Sequence, residues 1–181
     1  MPLLKTEAYT TDYIYSLPEG KRAELIDGVV YDMAPPSRIH QELVTQFAKV
    51  IGQYIDKNNG ECKVYAAPFA VFLDDDNNTY VEPDISVICD KNKLDDYGCN
   101  GAPDWIIEIV SPSSRRMDYF TKLFKYRTAG VREYWIIDPI KKNTTIYRYE
   151  EDDAPAIFSF DQTITVGIYR DLDITLSELL K

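Results

Sequence analysis

The chain has 181 residues, of which 45% are hydrophobic and 28% charged, a composition typical of one globular domain. Its 30 acidic and 20 basic residues give a formal net charge of −10, which argues against a general polyanion binder because nonspecific nucleic-acid affinity depends on clustered lysine and arginine. A nucleic-acid role would therefore need a local basic patch, and no apolar run reaches the ~18 residues of a membrane span.

The N-terminal half of the sequence predicts two helices and a series of strands. A short helix at 8–17 is closed by "PEG", and "RAELIDGVVYDMA" contains two alternating runs around Asp27-Gly28, the signal of a hairpin. Segments "CKVYAAPFAVFL" and "TYVEPDISVIC" predict strands joined by a turn at "DDDNN", whose acids we expect to be solvated. Between the hairpin and these strands, Ser37 can cap a helix. The helix has one apolar stripe, formed by Ile39, Leu43, Phe47, Val50, Ile51, Tyr54 and Ile55.

The C-terminal half predicts a second helix among further strands. A strand at Trp105–Ser111 precedes a helix over about 114–129, which Ser113 or Ser114 can cap, and the strand "REYWIID" stops at Pro139. Strands near 144–149, 156–160 and 163–170 complete the sheet, and "SELLK" forms a short terminal helix. Together these elements predict one mixed α+β domain over 1–181.

The three cysteines and the first ten residues bear on localisation. Cys62, Cys89 and Cys99 are an odd number without a CxxC pair, which predicts reduced thiols and a cytoplasmic protein. The segment "MPLLKTEAYT" lacks the apolar core of a signal peptide.

Two carboxylates in apolar strands are the first candidates for a site. Glu108 lies among apolar residues, although a charged glutamate is almost never buried without a partner. Strand alternation places Glu82, Asp84 and Ser86 on one face, so Asp84 and Glu108 meet if their strands are sheet neighbours. Such a pair suits Mg²⁺ or Mn²⁺. The alternative is that each acid is solvated at a strand end.

The helix that follows Glu108 offers a cation. Phe120, Leu123 and Phe124 form its predicted core-facing side, while Asp118 and Lys122 lie on another face with Tyr126 and Ala129. A lysine beside two acids can stabilise a developing oxyanion or orient a water. The alternative is an Asp118–Lys122 surface pair.

Several motifs in this order resemble a known family. Segments "AELIDGVVYDMAPPSRIHQELV", "VEPDISVI" and "WIIEIVSPSSRRMDYFTKLFKYRTAGVREYWIIDP" are similar to the bacterial Uma-type family described as putative restriction endonucleases, of unknown biological role, in the PD-(D/E)XK nuclease superfamily. The resemblance covers about 23–139. It implies a restriction-endonuclease-like fold with an αβββαβ core and Mg²⁺-dependent hydrolysis of DNA phosphodiesters, with Mn²⁺ as the alternative ion.

The resemblance also implies roles for individual residues. Asp84 and Glu108 take the positions of the metal-binding acids, with the main-chain carbonyl of Ile109 as a further ligand. Val110 departs from the superfamily pattern because a lysine usually stands there. The displaced lysine then corresponds to Lys122, with Lys125 as the near alternative.

Other residues are candidates for supporting roles. Glu24 matches the N-terminal motif and either completes the acidic cluster or is a solvated strand acid. His40 is a proton relay or orienting group, or else a capping or surface residue. Ser111 can hydrogen-bond a site acid, and Asp118 shares the face of the candidate lysine. Arg115 and Arg116 can meet a phosphate or be solvated.

The resemblance, together with Asp84, Glu108 and Lys122, implies a metal-dependent DNA endonuclease. Two alternatives remain open: a catalytically silent nuclease fold that binds a partner, and a metal-dependent hydrolase of a small phosphate substrate. Cutting both strands of a duplex also favours a homodimer. Its candidate anchors, which are alternatively core residues, are Tyr134, Trp135, Tyr147 and Tyr149.

Overall fold

We describe the fold from a computed structural model that covers residues 8–151 and 154–181. Residues 1–7, which make up most of the segment considered for a signal peptide, lie outside the described residues. Within the described residues, no helix combines the length and the apolar character needed to cross a membrane. The helices are α1 Thr11–Tyr15, α2 Arg38–Lys57, α3 Lys122–Ala129 and α4 Leu176–Leu179, with a π-helical turn at Met117–Thr121 directly before α3.

The strands of the described residues form three sheets. In chain order they are β1 Ala23–Ile26, β2 Val29–Asp32, β3 Lys63–Ala66, β4 Val71–Phe72, β5 Tyr80–Val81, β6 Ile85–Ile88, β7 Cys99–Asn100, β8 Trp105–Ile109, β9 Glu133–Asp138, β10 Asn143–Arg148, β11 Ala156–Ser159, β12 Thr163–Thr165 and β13 Asp173–Thr175. The central sheet has the order β11-β10-β9-β8-β6-β3, a second sheet has the order β2-β1-β5-β4-β7, and β12 pairs with β13 alone.

The central sheet confirms the predicted fold class. Its main elements follow one another as α2, β3, β6, β8, α3 and β9, which is the expected αβββαβ order. Strands β3, β6 and β8 are antiparallel neighbours, and β9 runs parallel to β8. Ile85 pairs with Ile107, so the next positions along these two strands, Asp84 and Glu108, lie side by side.

Two predicted strands are each divided between two sheets. Segment "CKVYAAPFAVFL" forms β3 and β4 on either side of Pro68, and "TYVEPDISVIC" forms β5 and β6 on either side of Pro83. A proline has no amide hydrogen to donate to a sheet, so each strand ends there. The break at Pro83 places Asp84 where the two sheets meet.

Helix α2 was predicted well. The Ser37 hydroxyl accepts a hydrogen bond from the His40 amide at 3.3 Å and caps its first turn. Every residue of the predicted stripe belongs to the core beneath it or packs against that core. The cap fixes where the helix begins and therefore where His40 points.

The orientation predicted for the second helix is wrong. Phe120 and Phe124 are 71% and 67% exposed, whereas Lys122 and Tyr126 are buried against the central sheet. Two features favour this orientation: buried carboxylates on the sheet need the lysine, and the Asp118 carbonyl in the π turn accepts a hydrogen bond from the buried Tyr134 hydroxyl at 3.0 Å.

Two further expectations need correction. The predicted strand at 163–170 does not complete the central sheet: only Thr163–Thr165 is a strand, and it pairs with β13. Tyr134 and Trp135 are fully buried core residues and cannot anchor an interface, while Tyr147 and Tyr149 are partly buried.

The cysteine prediction is also wrong for two of the three residues. Cys62 and Cys89 form a disulfide, and only Cys99 is free and buried. The register Lys63↔Ile88 places the two cysteines opposite each other just beyond the ends of β3 and β6, which their spacing in the sequence does not reveal. The cytoplasmic location loses its cysteine argument and stays a prediction.

Candidate functional site

The predicted site residues come together around one cavity of about 250 Å³. The cavity lies between five elements: β1, the start of α2, the start of β6, the end of β8, and the helical segment made of the π turn and α3. Eight of the residues singled out from the sequence line it: Glu24, His40, Asp84, Glu108, Ile109, Ser111, Asp118 and Lys122.

Asp84 and Glu108 are joined through the main chain. The Ile109 amide donates to Asp84 Oδ2 at 2.7 Å, and the Asp84 amide approaches Glu108 Oε2 at 3.4 Å. These contacts fix the Asp84 carboxylate across the end of β8. The carboxylates of both acids therefore face the same end of the cavity.

Lys122 explains why a glutamate is tolerated in a buried strand. Its Nζ lies 2.9 Å from Glu108 Oε1, 2.9 Å from Glu24 Oε1 and 3.9 Å from Asp118 Oδ1. The Tyr126 hydroxyl donates to Glu108 Oε1 at 2.7 Å. One buried ammonium thus compensates a cluster of three buried carboxylates, which we call the acid–lysine cluster.

The pKa values within this cluster follow from one cation shared by three acids. Burial raises the pKa of Glu108 well above its usual range and that of Asp118 to about 6, although Lys122 opposes both shifts. Burial lowers the pKa of Lys122, but its three carboxylate neighbours outweigh burial and hold that pKa well above normal. Lys122 is therefore protonated. Because its single positive charge is shared among three carboxylates, the pKa values of Glu108 and Asp118 remain raised.

Glu24 joins the cluster from the second sheet. Besides its ion pair with Lys122, Glu24 Oε1 accepts a hydrogen bond from the Glu82 amide at 2.9 Å. The Glu82 carboxylate turns away and accepts hydrogen bonds from Arg22 and from the Tyr80 hydroxyl. The hairpin of β1 and β2 thus places Glu24 beside Lys122. Because Glu24 is buried, the alternative of a solvated strand acid is excluded.

His40 contacts the other acid of the pair. Its Nε2 lies 3.1 Å from Asp84 Oδ2, the same oxygen that accepts the Ile109 amide. His40 is therefore neither a capping side chain nor a surface residue. It approaches Asp84 from the first turn of α2, whose cap is fixed by Ser37.

Ser111 has a different role from the expected one. Its hydroxyl accepts a hydrogen bond from the Ser114 amide at 3.1 Å, and the Ser114 hydroxyl accepts one from the Ser111 amide at 3.0 Å. Ser111 therefore caps the turn that leads into the helix, where we expected Ser113 or Ser114 to do so. Its hydroxyl also lies 3.0 Å from that of Ser113.

The remaining charged candidates lie away from the cavity. Lys125 is ion-paired with Asp27, so it does not replace Lys122. Arg115 donates to the buried Asp138 at 2.6 Å, and Arg116 is exposed. Asp75 and Asp76 are exposed in their turn, as expected for solvated acids, whereas Asp74 is only partly exposed and its Oδ1 is buried.

Sequence reasoning missed the role of Tyr126. This fully buried side chain donates to Glu108 and stacks edge-on against Tyr134, with 4.9 Å between ring centroids. Its spacing of four residues from Lys122 was visible, but the assumed orientation of the helix directed attention elsewhere. Asp118, Lys122 and Tyr126 form the buried face.

The donor set fits a hard divalent cation held by few protein ligands. Among the described residues, no group of three or more histidine, cysteine, aspartate or glutamate side chains is arranged to enclose a metal. Lys122 and Tyr126 both donate hydrogen bonds to Glu108 Oε1. The other oxygen, Oε2, lies beside Asp84 and is the one available to a metal ion. Two carboxylate groups with space for water and substrate suit Mg²⁺, which usually keeps several waters.

Comparisons with known proteins agree with this architecture. A family model described as "Uma2: Putative restriction endonuclease" matches residues 10–176. An uncharacterized protein from Synechocystis is 22% identical over 133 residues, which cover 73% of this chain and 68% of the relative. A crystal structure described as a "putative nuclease belonging to DUF820", from Anabaena variabilis, has a TM-score of 0.76 at 22% identity and covers 94% of this chain and 96% of its own.

Proposed function

Because this chain belongs to the Uma2 family, described as putative restriction endonucleases, we propose that it is a metal-dependent endonuclease that hydrolyses phosphodiester bonds in DNA. The observation that carries the proposal is the pairing of Asp84 with Glu108 at one end of a cavity into which Lys122 also projects. Two acids at a strand end can hold a divalent ion that polarises a phosphate, and a lysine beside them adds positive charge, so the arrangement supports phosphodiester hydrolysis.

Asp84 and Glu108 would hold Mg²⁺ or Mn²⁺, with the Ile109 carbonyl as a further oxygen donor. The bound ion would supply Lewis-acid polarisation of the phosphate. His40 positions Asp84 by contacting Oδ2, and the Ile109 amide fixes the same oxygen from the opposite strand. The protein thereby orients one ligand from a helix and a strand at once.

Lys122 contributes positive charge beside the reacting phosphate. Its pKa is held high by the surrounding carboxylates, so it stays charged and does not act as a general base. A fixed ammonium in a buried site stabilises negative charge that develops in the transition state. Glu24 and Asp118 hold it in place and set its distance from Glu108.

The homodimer and the cytoplasmic location belong to the same proposal. Two copies would supply the two active sites needed to cut both strands of a duplex. With Tyr134 and Trp135 buried in the core, the partly buried Tyr147 and Tyr149 are the remaining anchors of those we expected. Sedimentation showing only a single-chain species at micromolar concentration would contradict the dimer.

A divalent-metal titration followed by cleavage assays tests the proposal. Single-stranded, duplex, supercoiled and branched DNA are incubated with the protein and Mg²⁺, Mn²⁺ or chelator, with a small phosphate monoester as the competing substrate. We expect cleavage of at least one DNA form that depends on the metal. Turnover of the small ester alone would favour the small-phosphate hydrolase, and absence of all turnover would favour the silent binding module.

A further inference from the structure

The positive charge of this acidic protein is concentrated in one segment. Residues 111–149 contain nine lysines and arginines and three acids, although the whole chain has a net charge of −10. The structure describes this segment completely, and its three acids, Asp118, Glu133 and Asp138, are all buried. The charges that the segment exposes to solvent are therefore all positive.

Some of these cations flank two exposed phenylalanines. Arg116 precedes Phe120 and Phe124 on the outer side of the helix, opposite the acid–lysine cluster. The turn after β9 adds Ile140, which is 67% exposed, with the exposed Lys141 and Lys142. We call these six residues the outer patch.

Asp138 joins the two parts of the outer patch. Its buried carboxylate accepts hydrogen bonds from the Arg115 side chain at 2.6 Å and from the amides of Ile140 and Lys141 at 3.1 and 3.0 Å. The start of the helix and the turn are therefore held against each other by one side chain. The turn with its cations therefore lies beside the start of the helix that carries Arg116 and the two exposed rings.

We propose that the outer patch binds single-stranded DNA, as an extension of the nuclease function on which this inference rests. Arg116, Lys141 and Lys142 contact phosphates, and bases stack on Phe120 and Phe124. A positively charged surface that carries exposed aromatic rings is the usual means of binding an unpaired strand, whereas the bases of an intact duplex expose no ring faces. The patch also supplies the local positive charge that an acidic protein needs to bind DNA.

Charge distinguishes this occupant from a second copy of the chain. A two-fold interface places the same patch on both subunits, so the cations Arg116, Lys141 and Lys142 of the two copies would be brought together. Juxtaposed like charges oppose such an interface. A phosphate backbone complements the same surface.

The outer patch is close enough to the cavity for one DNA strand to contact both. Met117 and Asp118 line the cavity, and Arg116 is the preceding residue. The two faces of the helix are separated by about one helix diameter, roughly 10 Å. A strand leaving the cavity can therefore continue over the helix onto Phe120.

Binding of a labelled oligothymidylate, measured by fluorescence anisotropy with chelator present, tests the proposal without cleavage. We expect Phe120→Ser/Phe124→Ser to weaken binding at least about fivefold, since one base stack contributes at least that factor. The variant Arg116→Gln/Lys141→Gln/Lys142→Gln should lower the slope of log affinity against log salt by about 2, because each single-strand phosphate contact contributes ~0.7.

Matched controls change equally exposed residues elsewhere. Tyr97→Ser removes a ring that is 75% exposed, and Lys49→Gln/Lys57→Gln/Lys63→Gln removes the same charge from another surface. Both should bind like the wild type. Circular dichroism of each variant verifies that it is folded.

The possible outcomes separate this inference from the nuclease function. Loss of binding in the patch variants alone supports the patch even if the wild type never cleaves DNA. Equal binding by patch and control variants overturns it even if the wild type cleaves, and so does a wild type that binds no oligothymidylate. A dimer that dissociates in Phe120→Ser/Phe124→Ser without any change in DNA binding would overturn it in favour of a second copy.

Discussion

Replacing Lys122 by methionine tests whether the acid–lysine cluster has the arrangement described here. The lysine side chain is 5% exposed and lies within 4 Å of Glu24, Glu108 and Asp118. Methionine fills similar space but leaves these carboxylates without their cation. Breaking a buried ion pair typically costs about 3–5 kcal/mol. We therefore expect Lys122→Met to lose stability as well as activity.

The loss of stability should depend on pH. In the wild type the pKa of Asp118 is about 6, above the usual 3.8, so the folded state binds more protons between these values and the free energy of unfolding falls as pH rises through them. Lys122 lowers the pKa values of both Asp118 and Glu108, so removing it raises them further. The destabilisation should consequently be smaller at about pH 5 than at about pH 8, where the unpaired acids must ionise.

Thermal and urea unfolding at both pH values provide the assay, with Lys125→Met as the matched control. At the higher pH, Lys122→Met should lower Tm by about 6–20 °C, taking ~2–4 °C per kcal/mol for a domain of this size. Lys125 pairs with Asp27, whose side chain is 63% exposed, so its replacement should cost less than about 1 kcal/mol at either pH. Equal stability of the two variants would refute the buried cluster.

Three further changes test separate features of the fold. Tyr126→Phe removes one hydroxyl bound to a buried carboxylate and should cost about 1.5–3 kcal/mol in urea unfolding; no change would show that the hydroxyl is not bound. Phe120→Ala and Phe124→Ala should each change the free energy of unfolding by less than about 0.5 kcal/mol, because both rings are exposed. A loss above about 3 kcal/mol would show instead that these rings are buried in the core. Cys62→Ser should lower the free energy of unfolding by about 3–4 kcal/mol, by the loop-entropy relation for a separation of 27 residues. Mass spectrometry of the native protein should show that reduction adds two hydrogens. An unchanged mass would exclude the Cys62–Cys89 disulfide.

The sequence was most informative where local periodicity sets geometry. Strand alternation placed Asp84 and Glu108 on compatible faces, and the sheet register made them neighbours. The capping serine and apolar stripe of α2 depend only on residues close in the chain, whereas the meeting of Asp84 with Glu108 also required their two strands to be sheet neighbours. These features could be predicted because each requires few assumptions about distant contacts.

The second helix shows why local patterns can fail. Phe120 and Phe124 formed the most apolar row, so hydrophobicity directed them inward, but burial of Glu108 requires the opposite row to face the sheet. A π turn shifts the helical register, and its effect cannot be seen in a period of 3.6 residues. The burial of Glu24 beside Lys122 and the Cys62–Cys89 bond similarly depend on pairings between distant segments.

The most direct test of the proposed function is the rate of Mg²⁺-dependent DNA cleavage by the wild type, Asp84→Asn and Asp75→Asn, all purified identically. Asp84→Asn keeps the shape of the side chain but removes the charge that would bind the metal, while Asp75 is an exposed acid in a turn. We predict cleavage by the wild type and by Asp75→Asn, with none above background for Asp84→Asn. Equal rates for all three proteins, or no cleavage by any of them, would contradict the assignment of Asp84 and Glu108 as the metal-binding pair of a nuclease.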